Sequence, residues 1–105
     1  MNILFDHGTP VPLRGELVGH SVATAYEMSW SNLNNGDLLK AAEGRFDVLI
    51  TTDQNLRYQQ NLSGRTLAIL VLPTTSWPKI RTHLDAVRSA LAGLKAGEFV
   101  ECKFE

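Results

Sequence analysis

The chain has 105 residues, which is enough for one domain with a modest core, and we expect residues 1–105 to form a single domain. Its 44% hydrophobic and 20% charged residues are typical of a globular protein and exclude a disordered or fibrous chain. The formal net charge of -1 excludes a strongly basic nucleic-acid-binding protein, although it is compatible with a small enzyme that contacts only a few nucleotides.

The first half of the chain predicts two strands and two helical segments. The run NILF is a short apolar strand that ends at Asp6. Leu13 and Leu17 are four residues apart, as in the buried stripe of a short helix that begins near two prolines. In SVATAY, Val22, Thr24 and Tyr26 occupy every second position, which indicates a strand. DLLKAA then has helical spacing, with one of the two preceding asparagines as its N-cap.

The second half predicts three strands and two further helical segments. FDVLIT and RTLAILVLP are typical of buried strands, and QNLRYQQNLSG between them is a short helix or a turn. Apolar residues three and four apart predict one amphipathic helix from Trp77 to Leu94. EFVECKF predicts a last edge strand, whose direction the sequence leaves open.

Strands and helical segments therefore alternate along the whole chain. This alternation predicts parallel pairing with right-handed crossovers, and the continuous apolar strands predict a sheet covered on both faces. The expected fold class is α/β with a mostly parallel sheet of about five strands.

The compartment is indicated by the lone cysteine and by the N-terminus. Cys102 cannot form an internal disulfide, which fits a reducing compartment. MNILFDHG has neither a basic leader nor a long apolar run, so no signal peptide and no membrane span are predicted. We expect a cytoplasmic protein that does not contact a membrane.

Three aspartates occupy positions where such a sheet gathers its ligands. Asp6 ends the first strand, Asp53 follows the third, and Asp37 opens the helix between them. Ligands of open α/β sheets bind at the carboxyl ends of the strands, so these carboxylates share one rim if the first and third strands are neighbours. Clustered carboxylates repel one another, and a Mg²⁺ or Mn²⁺ ion relieves that repulsion and can promote attack on a phosphodiester.

Each acid also has a purely structural interpretation. Asp37 is equally explained as a first-turn acid that the helix dipole favours, and Asp53 as the N-cap of the next helix. Glu27, which follows the second strand, is either a fourth acid of the cluster or one partner of a salt bridge on the rim.

Several neighbours of the acids are candidates for a second shell or for substrate contacts. Thr51 and Asn55 offer a hydroxyl and an amide beside Asp53, and His7 is either a ligand, a base or an exposed loop residue. Basic residues either meet phosphates or are solvated: Arg14, Arg57 and Arg65.

Three stretches together resemble one known family. They are MNILFDHG at the start, GHSVATAYEMSWSNLNNGDLLKAAEGRFDVLITTDQNLRYQQNLSGRTLAILVL through the middle, and the terminal helix. They are similar to short bacterial PIN-like proteins, predicted nucleases related to the toxins of VapBC-type toxin–antitoxin pairs. The resemblance covers essentially the whole chain and implies a PIN-like three-layer α/β/α sandwich.

The resemblance also implies a metal-dependent ribonuclease site. By position, Asp6, Asp37 and Asp53 match the catalytic acids that bind Mg²⁺ or Mn²⁺, and Asn55 matches the polar residue beside the last acid. The implied partners are an RNA substrate and a cognate antitoxin protein, and a homodimer is left open.

Two other functions are kept as alternatives. His7 stands where relatives commonly have an acidic residue, which points to a degenerate PIN-like binding module without catalysis. A receiver-type phospho-acceptor domain, with Asp53 as the phosphorylated residue, has a similar architecture. The sequence speaks against the latter, because the first strand is not followed by a pair of acids.

Overall fold

A parallel sheet of five strands forms the centre of the computed structural model, which describes residues 1–56 and 64–104. The strands are β1 (Asn2–Phe5), β2 (Ser21–Thr24), β3 (Val48–Thr51), β4 (Ala68–Val71) and β5 (Phe99–Glu101). Their order is β2-β1-β3-β4-β5, and every neighbouring pair is parallel. The predicted α/β class is confirmed, and β5 proves to be a parallel edge strand.

Short helical segments connect these strands. They are a 3₁₀ helix (Val11–Glu16), α1 (Asn35–Ala42), α2 (Trp77–Arg81) and α3 (Leu84–Ala92). The helix predicted around Leu13 and Leu17 is this 3₁₀ helix, and both leucines are buried. The helix or turn predicted for QNLRYQQNLSG falls mainly on residues 57–63, outside the described residues.

The start of α1 is set by an asparagine cap. The Asn34 side chain accepts a hydrogen bond of 2.8 Å from the backbone N–H of Asp37, which satisfies one of the orphan donors of the first turn. The helix dipole also favours the carboxylate of Asp37, because it lies in the first turn of α1.

The single helix predicted from Trp77 to Leu94 is wrong, because the chain breaks between α2 and α3. The Thr82 hydroxyl donates to the carbonyl of Lys79 at 2.8 Å and competes with the helical backbone for that acceptor. His83 then leaves the helical region, with φ -126° and ψ 30°, and its ring stacks on Phe104 at 4.6 Å between centroids. Apolar residues keep their helical spacing across this break, since both helices pack into the same core. Ile80 of α2 and residues of α3 belong to one cluster of buried side chains.

Both faces of the sheet are covered, as the apolar strands predict. Successive residues of a strand point to opposite faces, so Leu4 and Phe5 of β1 enter different clusters of buried side chains. The 3₁₀ helix, α2 and α3 contribute to the cluster of Phe5, whereas α1 contributes to the cluster of Leu4. The sheet is therefore the middle layer of an α/β/α arrangement.

Within the part of the chain that the structure describes, no helix combines the length and the apolar character that crossing a bilayer requires.

Glu43 links the end of α1 to the segment that leads into β4. Its carboxylate accepts hydrogen bonds from the Thr66 hydroxyl at 2.7 Å, the Thr66 N–H at 2.7 Å and the Leu67 N–H at 3.0 Å. These bonds, that of the Thr66 hydroxyl first among them, hold the pKa of Glu43 below its ordinary value.

We expect Glu43→Gln to destabilise the fold in a pH-dependent way. At neutral pH the loss is about 1 kcal/mol, since the neutral amide accepts these donors less well than a carboxylate. Folding lowers the pKa of Glu43, so its contribution is complete above the ordinary value of 4.5 and is lost as the pH falls through the lowered value. Urea unfolding on both sides of this range measures the difference. An equal loss of unfolding free energy at all pH values would contradict the lowered pKa of Glu43.

Candidate functional site

The candidate site lies where β1 and β3 end side by side in the middle of the sheet. Ile3, Leu4 and Phe5 of β1 pair with Val48, Leu49 and Ile50 of β3. From this pair the chain continues to β2 on one side and to β4 on the other. Ligands of open α/β sheets bind outside the carboxyl ends of the strands at such a switch point.

Asp6 follows β1 and is almost fully buried, with 8% of its surface exposed. Its Oδ1 accepts from the Thr9 hydroxyl at 2.7 Å and from the Gly8 N–H at 3.2 Å, and its Oδ2 accepts from the Thr51 hydroxyl. A buried carboxylate is costly unless it is hydrogen-bonded, and these three donors compensate for the lost water.

Thr51 connects the two aspartates of the site through one buried hydroxyl. It is the last residue of β3 and is 1% exposed. Its hydroxyl donates to Asp6 and accepts a hydrogen bond of 3.1 Å from the backbone N–H of Asp53. The end of β1 and the loop after β3 are thereby held together at their polar groups.

Asp53 is half-buried and is held by two asparagines. The Asn35 side-chain amide donates to its Oδ2 at 2.7 Å, and the backbone N–H of Asn55 donates to its Oδ1 at 2.9 Å. The bond from Asn55 forms a local turn, in which an aspartate side chain accepts from the backbone N–H two residues later in the chain. The Asn55 contact with Asp53 therefore comes from its backbone. The sequence indicates only an N-cap role for Asn35, and its contact with Asp53 has no signal in the sequence.

Asp37 lies apart from this pair. It is exposed in the first turn of α1, two residues after Asn35, and helix residues two apart do not face the same side. Residues 1–56 and 64–104 contain no group of three His, Cys, Asp or Glu side chains placed to hold a metal ion. The structure thus links the Asp6 carboxylate to the Asp53 backbone through one hydroxyl, and the predicted three-aspartate cluster is not assembled among these residues.

A cavity of about 420 Å³ opens beside Asp6, between the ends of β1 and β2. We call it the rim cavity, and its lining includes Asp6, His7, Thr9, Arg14, Tyr26 and Glu27. His7 is exposed at its edge, and Arg57, also predicted near this rim, lies outside the described residues.

Glu27 is the partner of a salt bridge in the rim cavity. The two Arg14 terminal nitrogens donate to its carboxylate at 2.6 Å and 3.2 Å. This pairing, followed by the Thr24 N–H at 2.9 Å, lowers the pKa of Glu27. Of the two sequence interpretations of Glu27, the structure therefore supports the salt bridge.

The strand predicted to reach Tyr26 ends earlier, because Thr24 and Glu27 form a reciprocal pair. The Glu27 N–H donates to the Thr24 hydroxyl at 3.1 Å while the Glu27 carboxylate accepts from the Thr24 N–H. Thr-x-x-Glu is the signature of a capping box, and it was readable in the sequence. Tyr26 consequently lies on a turn and is 80% exposed.

Comparisons with known proteins do not place the chain in a family: no family model, no curated protein and no solved structure matches it.

Proposed function

We propose that the chain is an endoribonuclease that uses Mg²⁺ or Mn²⁺ at the carboxyl ends of β1 and β3. The observation that carries the proposal is the buried Thr51 hydroxyl, which joins the Asp6 carboxylate to the backbone N–H of Asp53 at the switch point of the sheet. The resemblance to PIN-like proteins supports the same two residues.

The oxygen atoms at this edge suit a hard divalent ion. A carboxylate has about four lone-pair sites, of which hydrogen bonds from the described residues use three on Asp6 and two on Asp53. Magnesium is usually held by one or two carboxylates, with waters and substrate phosphates completing its octahedron. Asp6 and Asp53 therefore suffice as protein ligands, and Asp37, which lies apart from them, is not required.

The chain's own residues would position this centre. Thr51 orients one oxygen of Asp6, and Asn35 orients one oxygen of Asp53, so both carboxylates are held before substrate arrives. A bound divalent ion supplies a water of lowered pKa and stabilises charge on the phosphate. By the resemblance, cleavage leaves a 5′-phosphate and a 3′-hydroxyl.

The same resemblance extends the proposal to partners and place. We assign the chain as the toxin of a toxin–antitoxin pair in the cytoplasm, with an antitoxin protein that covers the edge around Asp6 and Asp53.

The test is RNA cleavage by the purified protein with Mg²⁺, with Mn²⁺ and with EDTA. We expect cutting with either metal and none in EDTA. Cutting that persists in EDTA, or its absence with both metals, would overturn the proposal. If calorimetry then detects no heat on titration with millimolar metal, the alternative of a non-catalytic binding module is favoured.

A second candidate is favoured by the strand order. Doubly wound sheets of receiver type share the order β2-β1-β3-β4-β5. In such a domain an Asp53 carboxylate oxygen would attack the phosphorus of a phosphodonor and form an acyl phosphate. Both carboxylate oxygens of Asp53 already accept hydrogen bonds, which counts against Asp53 as the attacking nucleophile. With acetyl phosphate, which releases acetate, a mass gain that Asp53→Ala abolishes would favour this function, and no gain would exclude it.

A further inference from the structure

The rim cavity adjoins the proposed cleavage site through a shared residue. Asp6 belongs to both, and Thr24, the last residue of β2, forms part of the far wall. The volume of the rim cavity, about 420 Å³, lies within the range of small-molecule sites, about 300–1,000 Å³. An occupant of this cavity would therefore be the part of a substrate next to the group held at Asp6.

Tyr26 presents a large aromatic ring at this cavity while being 80% exposed. Its turn is fixed at both ends, since the Ala25 N–H donates to Phe5 of β1 at 2.8 Å and the Trp30 N–H donates back to Ala25 at 2.8 Å. A ring whose backbone is already held loses little freedom on binding. Exposed aromatic rings on nucleic-acid-binding proteins serve as platforms on which bases stack.

The polar part of the cavity offers both a donor and an acceptor. The Arg14 guanidinium and the Glu27 carboxylate bind each other in a fork, and Thr24 holds the carboxylate from the backbone. A carboxylate has more acceptor sites than these bonds occupy, and a guanidinium carries five N–H donors. Nucleobases present donors and acceptors at their edges and a flat face above them, which matches this arrangement.

The charges of the cavity argue against a phosphate as its occupant. Asp6 and Glu27 both face it, and Glu27 already balances the positive charge of Arg14, the arginine among its lining residues. A flat, uncharged group with polar edges fits better than an anion.

We propose that the rim cavity binds a base of single-stranded RNA next to the cleaved phosphodiester, with Tyr26 stacked on the base and the Arg14–Glu27 pair at its polar edge. The inference rests on the proposed ribonuclease function for its substrate class. It assigns to this chain a base subsite beside the cleavage site, with Asp6 lying at the boundary between the two.

The test is the binding of a short fluorescent single-stranded RNA in EDTA, where no cleavage is expected, followed by anisotropy. Tyr26→Ala is expected to weaken binding about 10-fold, because stacking of one base on an aromatic ring is lost. Tyr26→Phe keeps the ring and is expected to bind like the wild type. Val18→Ala, at a site that is 87% exposed and outside the cavity lining, is the matched control and should have no effect.

An oligonucleotide of abasic residues separates stacking from backbone contacts. It should bind equally to the wild type and to Tyr26→Ala. Equal RNA affinity of these two proteins, or an equal loss on the abasic strand, would overturn the subsite. Metal-dependent cleavage together with unchanged RNA binding by Tyr26→Ala would support the nuclease and exclude the base subsite. Weaker RNA binding by Tyr26→Ala without any cleavage would support the subsite and exclude the nuclease.

Discussion

Replacing Asp6 or Asp53 by asparagine is expected to lower metal-dependent RNA cleavage by at least about 100-fold. Asparagine keeps the size of the side chain but removes the negative charge that holds a divalent ion, and even changes around metal ligands cost about 10–100-fold. Initial rates on labelled RNA, with Mg²⁺ and Mn²⁺ in turn, measure the effect. Calorimetric titration of the same variants should show weaker metal binding.

The chain offers a matched control for each part of this prediction. Asp85 is an exposed acid in the first turn of α3, outside the site, so Asp85→Asn should cut like the wild type. Thr51→Ser keeps the hydroxyl that donates to Asp6 and should cut like the wild type. Thr51→Val removes this hydroxyl and should lower the cleavage rate about 10–100-fold. Wild-type rates in both Asp6→Asn and Asp53→Asn would contradict the site.

Truncating a core leucine on either face of the sheet is expected to destabilise the fold by about 2–5 kcal/mol. Leu70 of β4 belongs to the cluster beneath α2 and α3, and Leu49 of β3 belongs to the cluster beneath α1; both are buried. Leu70→Ala and Leu49→Ala each remove apolar contacts and leave a cavity that the neighbours fill only in part. Such a loss is a large share of the about 5–15 kcal/mol that domains usually have.

Urea unfolding followed by circular dichroism measures both variants. Val18→Ala, at an exposed position, should change stability by less than about 0.5 kcal/mol. A loss in Leu49→Ala as small as that of the control would mean that α1 does not pack tightly on its face of the sheet.

Strands β3 and β4 were predictable because their sequences are short and almost wholly apolar. The first three residues of β3 and all four residues of β4 are apolar, so burial on both sides is the stable placement of these strands. The break between α2 and α3 was not predictable from spacing, because Ile80 and Val87 keep the helical period across it. At the break, the Thr82 hydroxyl donates to the Lys79 carbonyl. Such a side-chain bond competes only weakly with the backbone hydrogen bonds of a helix, so it depends on tertiary packing to persist.

The sequence alone determined that Asp6 and Asp53 would follow strands, because Asp6 directly follows one apolar run, Asp53 comes shortly after another, and parallel strands end at one edge. Only the tertiary structure decided which neighbours those acids have. It paired β1 with β3, so that the Thr51 hydroxyl reaches Asp6, and it set the rotation of α1, so that Asn35 meets Asp53 while Asp37 lies apart. Helix rotation follows from the burial of Leu38 and Leu39 against the sheet, a packing constraint that acts between elements distant in sequence.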